Sequence, residues 1–524
     1  MFEYLIQNVQ ILDGSGREPF PGSVALSGGK IAAVGPAFAG ESARVIDGKG
    51  RMLTPGFIDI HRHADAALFR SGFGRAELAQ GLTTIINGNC GLSLAPVFGP
   101  HSEAVLDYLD PITGKGETAF PTVADYREQA KRANLPLNAG MLAGMGTLRA
   151  CTAGFRDRAL TDAEYHQLHT ALERTLADGA LGVSLGLGYA PDCFYTTPQL
   201  IYALEPLRRS GRVITVHMRQ EGDGVVDALR EMLEVARALE TPLEISHLKA
   251  IGRRNWRRAV PEMLRLIAQA REEGLDVMCD AYPYPAGSTQ LIHVLPPEFQ
   301  SGGIERLTAA LRDQPARRKM RQRMENDSDF ENIAALVGFE NIRTASFRQP
   351  EHAAFEGRSI AEIAEKQGKD PYDALFDLLA EEHCAVSMID FIADERDISD
   401  ILRAPFSGVI SDATYPEGLC HPRVYGAFSR LLERYVKEQG VLTLPEAVHK
   451  ITGQPAERFQ LKGKGRIAPG ADGDLCLFDP ANVHETGTWT SPDQLAVGMD
   501  WVFVNGVPAI AEGQLTGNAG GKCL

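Results

Sequence analysis

Five short apolar runs of this chain each close on a side chain that can bind a metal ion. They are residues 52–63 (MLTPGFIDIHRH), 81–90 (GLTTIINGNC), 212–217 (RVITVH), 243–247 (LEISH) and 407–412 (SGVISD). His61 and His63 are one residue apart, so on an extended strand both imidazoles leave from the same face. Such a pair at a strand end is a clamp for zinc or another borderline divalent metal. His217 and His247 end two more runs and enlarge the donor set. Cys90, in NGNCGLS, adds a soft donor, because coordination deprotonates a thiol outright. Binuclear sites of this kind commonly take a bridging carboxylated lysine from the fourth strand. Here that run reads LGVSLGLGYA and has no lysine, so the Cys90 thiolate can take its place. Asp412 supplies a carboxylate that can take a proton from a metal-activated water and pass it to a leaving nitrogen. A bound metal lowers the pKa of water from about 15.7 toward 7 and polarises a carbonyl. The chemistry this set predicts is metal-dependent hydrolysis.

Ligands so far apart in sequence need a scaffold that brings strand ends to one mouth. Eight apolar runs alternate with helical periodicity, at residues 53–60, 83–87, 137–144, 180–187, 213–217, 243–247, 276–280 and 408–411. That is the pattern of βα units and a parallel sheet, and eight strands close a barrel whose chemistry lies at their carboxyl ends. After the fifth run, Val225, Val226, Leu229, Met232, Leu233 and Ala236 recur on one helical face, with Asp223 placed as N-cap. The ends of the chain read differently. Short apolar runs broken by DGSG, SGG, PGADGD and VNG suggest antiparallel hairpins, and hence a small β-sandwich built from both termini. The expected α/β architecture is a TIM-like (β/α)8 barrel over 55–459, with 1–54 and 460–524 forming the sandwich. More than a hundred residues separate the seventh and eighth runs, which predicts an inserted subdomain or lid at 290–347.

Bulk properties narrow the class. The chain has 524 residues, 44% hydrophobic content and a formal net charge of −15, which argues against a nucleic-acid surface. Its eight cysteines lack a CxxC pair or regular spacing, so a disulfide framework is not expected and a reducing, cytoplasmic setting is. The start of the chain has no basic stretch followed by a long apolar core, and no run is long enough to span a bilayer, so no membrane association is expected.

The motifs resemble the amidohydrolase superfamily and, within it, the D-aminoacylase (N-acyl-D-amino-acid deacylase) family. They are PGFIDIHRH, NGNCGLSLAP, GTLR, HMRQEGD, EISHLKAIG, DAYPYPAGST, SDA followed by HPR, and GKGRIAPGADGDLCLFD. The resemblance implies a tight zinc held by Cys90, His217 and His247, a second, weaker divalent position near His61 and His63, and Asp412 as catalytic acid and base. It also implies that Lys249, Tyr282, Ser288 and Arg423 grip the free carboxylate of a small N-acyl-D-amino acid. Arg423 has the planar fork for that task, and Lys249 lies two residues past a ligand on the same strand face. Three departures from the family pattern, Arg62 inside HxH, Met145 in AGMGTLR and SDA for SDG, bear on the substrate side-chain pocket and the second metal. The arginines after SHLKAIG suggest an acidic substrate side chain such as that of N-acyl-D-glutamate. The alternatives on this scaffold are a cyclic amidase, which the missing lysine disfavours, a deaminase, for which Glu221 is the nearby acid, and a non-catalytic metal-binding barrel.

Overall fold

The computed structural model describes residues 1–36, 41–113, 119–327 and 329–524. Its centre is a run of parallel pairings between buried strands. Phe57–Asp59 pairs with Leu82–Asn87, which pairs with Asn138–Met141. Ala143–Gly144 then begins a second sheet that continues through Gly182–Gly186, Val213–His217, Leu243–Ile245, Val277–Ala281 and Ser407–Val409, each parallel to the next. These strands are largely buried on both faces, which is why they do not read as a strict apolar–polar alternation. The first and last segments also meet. Asp412 N donates to His61 O at 2.9 Å, His63 N donates to Ala413 O at 2.9 Å, and Arg62 and Ala413 form a parallel bridge.

Two of the apolar runs are each shared between sheets. Residues 53–60 split at Gly56, where an added Cβ would sit 2.2 Å from Thr83 Oγ1; Met52–Pro55 joins the terminal sheet and Phe57–Asp59 the parallel set. Residues 137–144 split after Met141, and Leu142 N still donates to Asn87 O.

Strands from both ends of the chain form one nine-stranded sheet. Met52–Pro55 and Leu475–Phe478 pair antiparallel at its middle, over a core that includes Ile6, Val24, Leu53, Leu477 and Phe503. Pairing among the first fifty residues is mixed rather than purely antiparallel. Phe2–Ile11 pairs antiparallel with Phe20–Ser27 but parallel with Ser42–Asp47 and Met52–Pro55.

The long excursion extends past residue 347. Its sheet is antiparallel and draws on Ala286–Gln290, Ile342–Ser346 and Ser387–Phe391, with helices between them packed on Leu307, Leu311, Leu375 and Leu379. The helix Val225–Leu239 buries Val225, Leu229, Met232 and Ala236, as the periodicity predicts. Its N-cap is Gly224, not Asp223, whose carboxylate instead accepts hydrogen bonds from Arg254 and Asn255. Among the described residues no helix is long and apolar enough to cross a membrane, and all eight cysteines are free thiols.

Candidate metal centre

The carboxyl ends of the parallel strands bring His61, Cys90, His247 and Asp412 together, with one ligand atom from each lying within 4.8 Å of the others. Cys90 Sγ is 3.2 Å from His61 Nε2 and 3.4 Å from His247 Nε2. Asp412 Oδ1 stands 3.3 Å from both His61 Nε2 and His63 Nε2. His217 Nδ1 reaches His247 Nε2 at 3.3 Å, so a second group, His217, Glu221 and His247, adjoins the first. All five sequence-derived donor residues and Asp412 therefore lie in one buried cluster; His63, Cys90, His217, His247 and Asp412 line a single cavity, and His61 is not among its lining residues.

Local backbone geometry turns these side chains inward. Cys90, His247 and Asp412 all have left-handed φ, at 53°, 38° and 53°. That region costs a non-glycine residue about 1–3 kcal/mol and is characteristic of functional sites. The glycines of NGNCG have a steric cause. A Cβ on Gly88 would sit 2.4 Å from Leu142 O, and one on Gly91 would sit 2.7 Å from Gly186 N. Asp280 Oδ1 accepts the His247 N–H at 2.5 Å and pins the turn after that strand.

The donor set fits a divalent cation, and the hydrogen-bonding capacity of the cluster is not filled by its own atoms. His217 Nε2 and His63 Nδ1 are buried with no hydrogen-bond partner, an arrangement that is costly unless a ligand completes it. Burial, then the negative charges of Asp412 and Glu221, push the Cys90 thiol well above its usual range. Burial likewise pushes His217 and His247 well below the usual imidazole range, so both are neutral. A thiol, neutral imidazoles and a carboxylate converging in this way are the donors zinc takes.

Glu221 is a member of the site that sequence reasoning considered only as a deaminase acid. Its Oε1 lies 3.0 Å from His247 Nδ1 and 2.7 Å from Lys249 Nζ. A carboxylate on the far nitrogen of a ligating histidine fixes its tautomer and orientation. From the excursion, Glu331 accepts the backbone N–H of Glu221. Burial and the neighbouring Glu221 push the Glu331 carboxyl up to about 8. No local sequence signal marks Glu331, which lies 110 residues from its partner.

Arg423 is fully buried and pairs with Asp412 Oδ2 at 2.9 Å. Burial favours a protonated Asp412, but Arg423 and then His61 outweigh it and hold the carboxyl well below its usual range. Arg423 also donates to Ser288 O at 3.0 Å, and its guanidinium lies 4.8 Å from the Tyr282 ring centre. Of the four residues expected to hold a substrate carboxylate, Lys249, Tyr282 and Ser288 line the cavity and the buried Arg423 does not. Arg62 and Met145 are not among the residues lining it. Arg62 points the other way, into a buried cluster with Asp59, Glu77 and Tyr415. The arginines after SHLKAIG do not line the cavity either. Arg254 pairs with Asp223, and Arg257 with Asp397 and Asp400. An acidic substrate side chain therefore has no support from them.

An amidohydrolase family model matches residues 44–497. The chain belongs to the amidohydrolase family. Over its full length this amidohydrolase is similar to the D-aminoacylase of Alcaligenes xylosoxydans xylosoxydans, with 34% identity over 525 residues, covering 100% of this chain and 97% of that one. The N-acyl-D-aspartate deacylase of the same organism is 32% identical over 516 residues, covering 98% and 93%. Among solved structures, N-acyl-D-glutamate deacylase from Bordetella bronchiseptica superposes with a TM-score of 0.84 at 30% identity, covering 100% and 99% of the two chains. That enzyme was crystallised with zinc and a phosphonate that mimics the tetrahedral intermediate of its reaction.

Proposed function

We propose that this amidohydrolase hydrolyses the amide bond of N-acyl-D-amino acids, giving a carboxylate and a free D-amino acid. The observation that carries the reading is the convergence of Cys90, His61, His217, His247 and Asp412 in one buried cluster, in a chain similar over its whole length to D-amino-acid deacylases. The fold layout that goes with it is a (β/α)8 barrel with a terminal sandwich and the excursion as a lid. The contacts between the segments around His61 and Asp412 support barrel closure. Free thiols throughout suit a reducing, cytoplasmic location.

Cys90, His217 and His247 would hold a tight zinc, and His61 and His63 a weaker second divalent ion. A cation held there supplies Lewis acidity toward the amide carbonyl and an acidified water as nucleophile. Asp412, kept ionised by Arg423, accepts the proton lost as water oxygen bonds to the carbonyl carbon. As the C–N bond breaks, Asp412 delivers that proton to the departing nitrogen, so one water is consumed for each amide cleaved. Lys249, Tyr282, Ser288 and Arg423 orient the substrate by its free carboxylate. The buried Arg423 Nε has no hydrogen-bond partner. Glu221 holds His247 and Lys249 in register, and is thereby committed away from the role of a deaminase acid.

The test is a panel of N-acetyl-D- and N-acetyl-L-amino acids and a hydantoin with zinc-loaded protein. Acetate and the free amino acid should appear from D-substrates alone. Turnover of the cyclic amide with none of the D-panel would overturn the proposal.

A further inference from the structure

The cavity above the cluster carries polar atoms for which hydrolysis has no use. His293 is 7% exposed, and neither of its ring nitrogens has a hydrogen-bond partner. Gln300 is 4% exposed; its Nε2 donates to Ile292 O and Leu295 O, while its Oε1 is unpartnered. Both residues line the same cavity as His217, His247 and Asp412. A ring stack joins the two ends, with 4.3 Å between the His217 and Tyr189 centres and 4.1 Å between Tyr189 and His293. His293 thus lies one aromatic layer beyond the cluster, within reach of the side chain of a substrate whose amide sits at the cluster. Leu187, Leu295 and Pro297 supply apolar wall on the same cavity.

Charge on these walls is the wrong sign for an acidic substrate side chain. Among the described cavity-lining residues, Arg219 is engaged by Glu231 through Nε and Nη2 and by the Cys193 and Tyr195 carbonyls. Lys249 is paired with Glu221. Asp329 and Asp390 add carboxylates to the lining, and Glu331, pushed up to about 8, adds a carboxyl that is mostly protonated near neutrality. Burial pushes His293 down to about 3, so it offers no charge near neutrality.

We propose that this wall receives the amino-acid side chain, and that His293 with Gln300 selects a neutral side chain bearing an amide or hydroxyl over one bearing a carboxylate. The proposal rests on the deacylase reading above and names its substrate class. A neutral imidazole presents one donor and one acceptor, and an amide or hydroxyl can answer either. A site whose buried polar atoms need a partner rejects ligands that lack one. A carboxylate entering without a free cation must be desolvated uncompensated.

The experiment compares N-acetyl-D-glutamine, N-acetyl-D-glutamate and N-acetyl-D-leucine with wild type, His293→Leu, His293→Asn and Gln300→Leu. Equilibrium binding of the same three compounds to zinc-loaded Asp412→Asn, by calorimetry, gives a readout independent of turnover. In wild type, kcat/KM for the glutamine compound should exceed both others by at least about tenfold. His293→Leu should erase the advantage over leucine, and His293→Asn should keep part of it. Should His293→Leu fail to fold by circular dichroism, the wild-type ranking and Gln300→Leu decide the matter. Glutamate equal to or better than glutamine, or a ratio unmoved by the foldable variants, overturns the inference and leaves the deacylase reading intact. Cleavage of none of the three defeats both.

Discussion

Two buried charged clusters lie on opposite sides of the segment from Asp59 to His63, and they differ in completeness. On one side, Arg62 donates to Tyr415 Oη at 2.9 Å, Asp59 at 3.2 Å, Glu77 at 2.8 Å and Val424 O at 3.1 Å. Every nitrogen of its guanidinium has a partner, and two carboxylates face it. On the other side, one residue away in either direction, His61 and His63 face Cys90, His247 and Asp412. There, His217 Nε2 and His63 Nδ1 have no hydrogen-bond partner, and the thiol is pushed up by burial and then by surrounding negative charge. The first cluster is finished by its own side chains and holds the segment in place. The second leaves donor atoms that a cation can take, and that difference distinguishes a candidate site from a brace.

The contrast predicts separable consequences of substitution. Asp412→Asn should lower kcat by about 10²–10⁴-fold, the usual contribution of a general acid–base group, while metal content stays at the wild-type level. Kinetics paired with metal analysis checks this, and retained turnover would move proton transfer to another group. Arg62→Met should leave kcat and metal content near wild type at a temperature where the protein is folded. It should destabilise the fold by about 3–5 kcal/mol, because Asp59 and Glu77 lose their buried counter-charge. Tyr415→Phe should cost less, about 1.5–3 kcal/mol, since it removes only hydrogen bonds to charged partners. Denaturant unfolding measures both; loss of metal from Arg62→Met without loss of stability would erase the distinction between the clusters.

What was legible in the sequence follows the range of the interactions. The convergence of Cys90, His61, His247 and Asp412 could be read because each ends an apolar run, and strand ends in parallel sheets point to one mouth. The alternation that separates Arg62 from its neighbours is likewise a two-residue period, yet its meaning could not be read. Glu77 and Tyr415 are 15 and 353 residues away. Glu331 and His293 are obscure for the same reason, since the groups they meet, the Glu221 backbone and the Tyr189 ring, lie far off in the chain. Asp223 had the right position for a cap, but the Arg254 ion pair competed successfully for its carboxylate. Splitting of the runs at 53–60 and 137–144 depends on which neighbour each half meets, which periodicity does not encode.

The most direct test is X-ray absorption at the zinc edge of stoichiometrically loaded protein. The account predicts a sulfur neighbour at about 2.3 Å together with nitrogen and oxygen at about 2.0–2.2 Å, and loss of the sulfur in Cys90→Ser. A wild-type spectrum with nitrogen and oxygen neighbours only would place the metal away from Cys90 and contradict it.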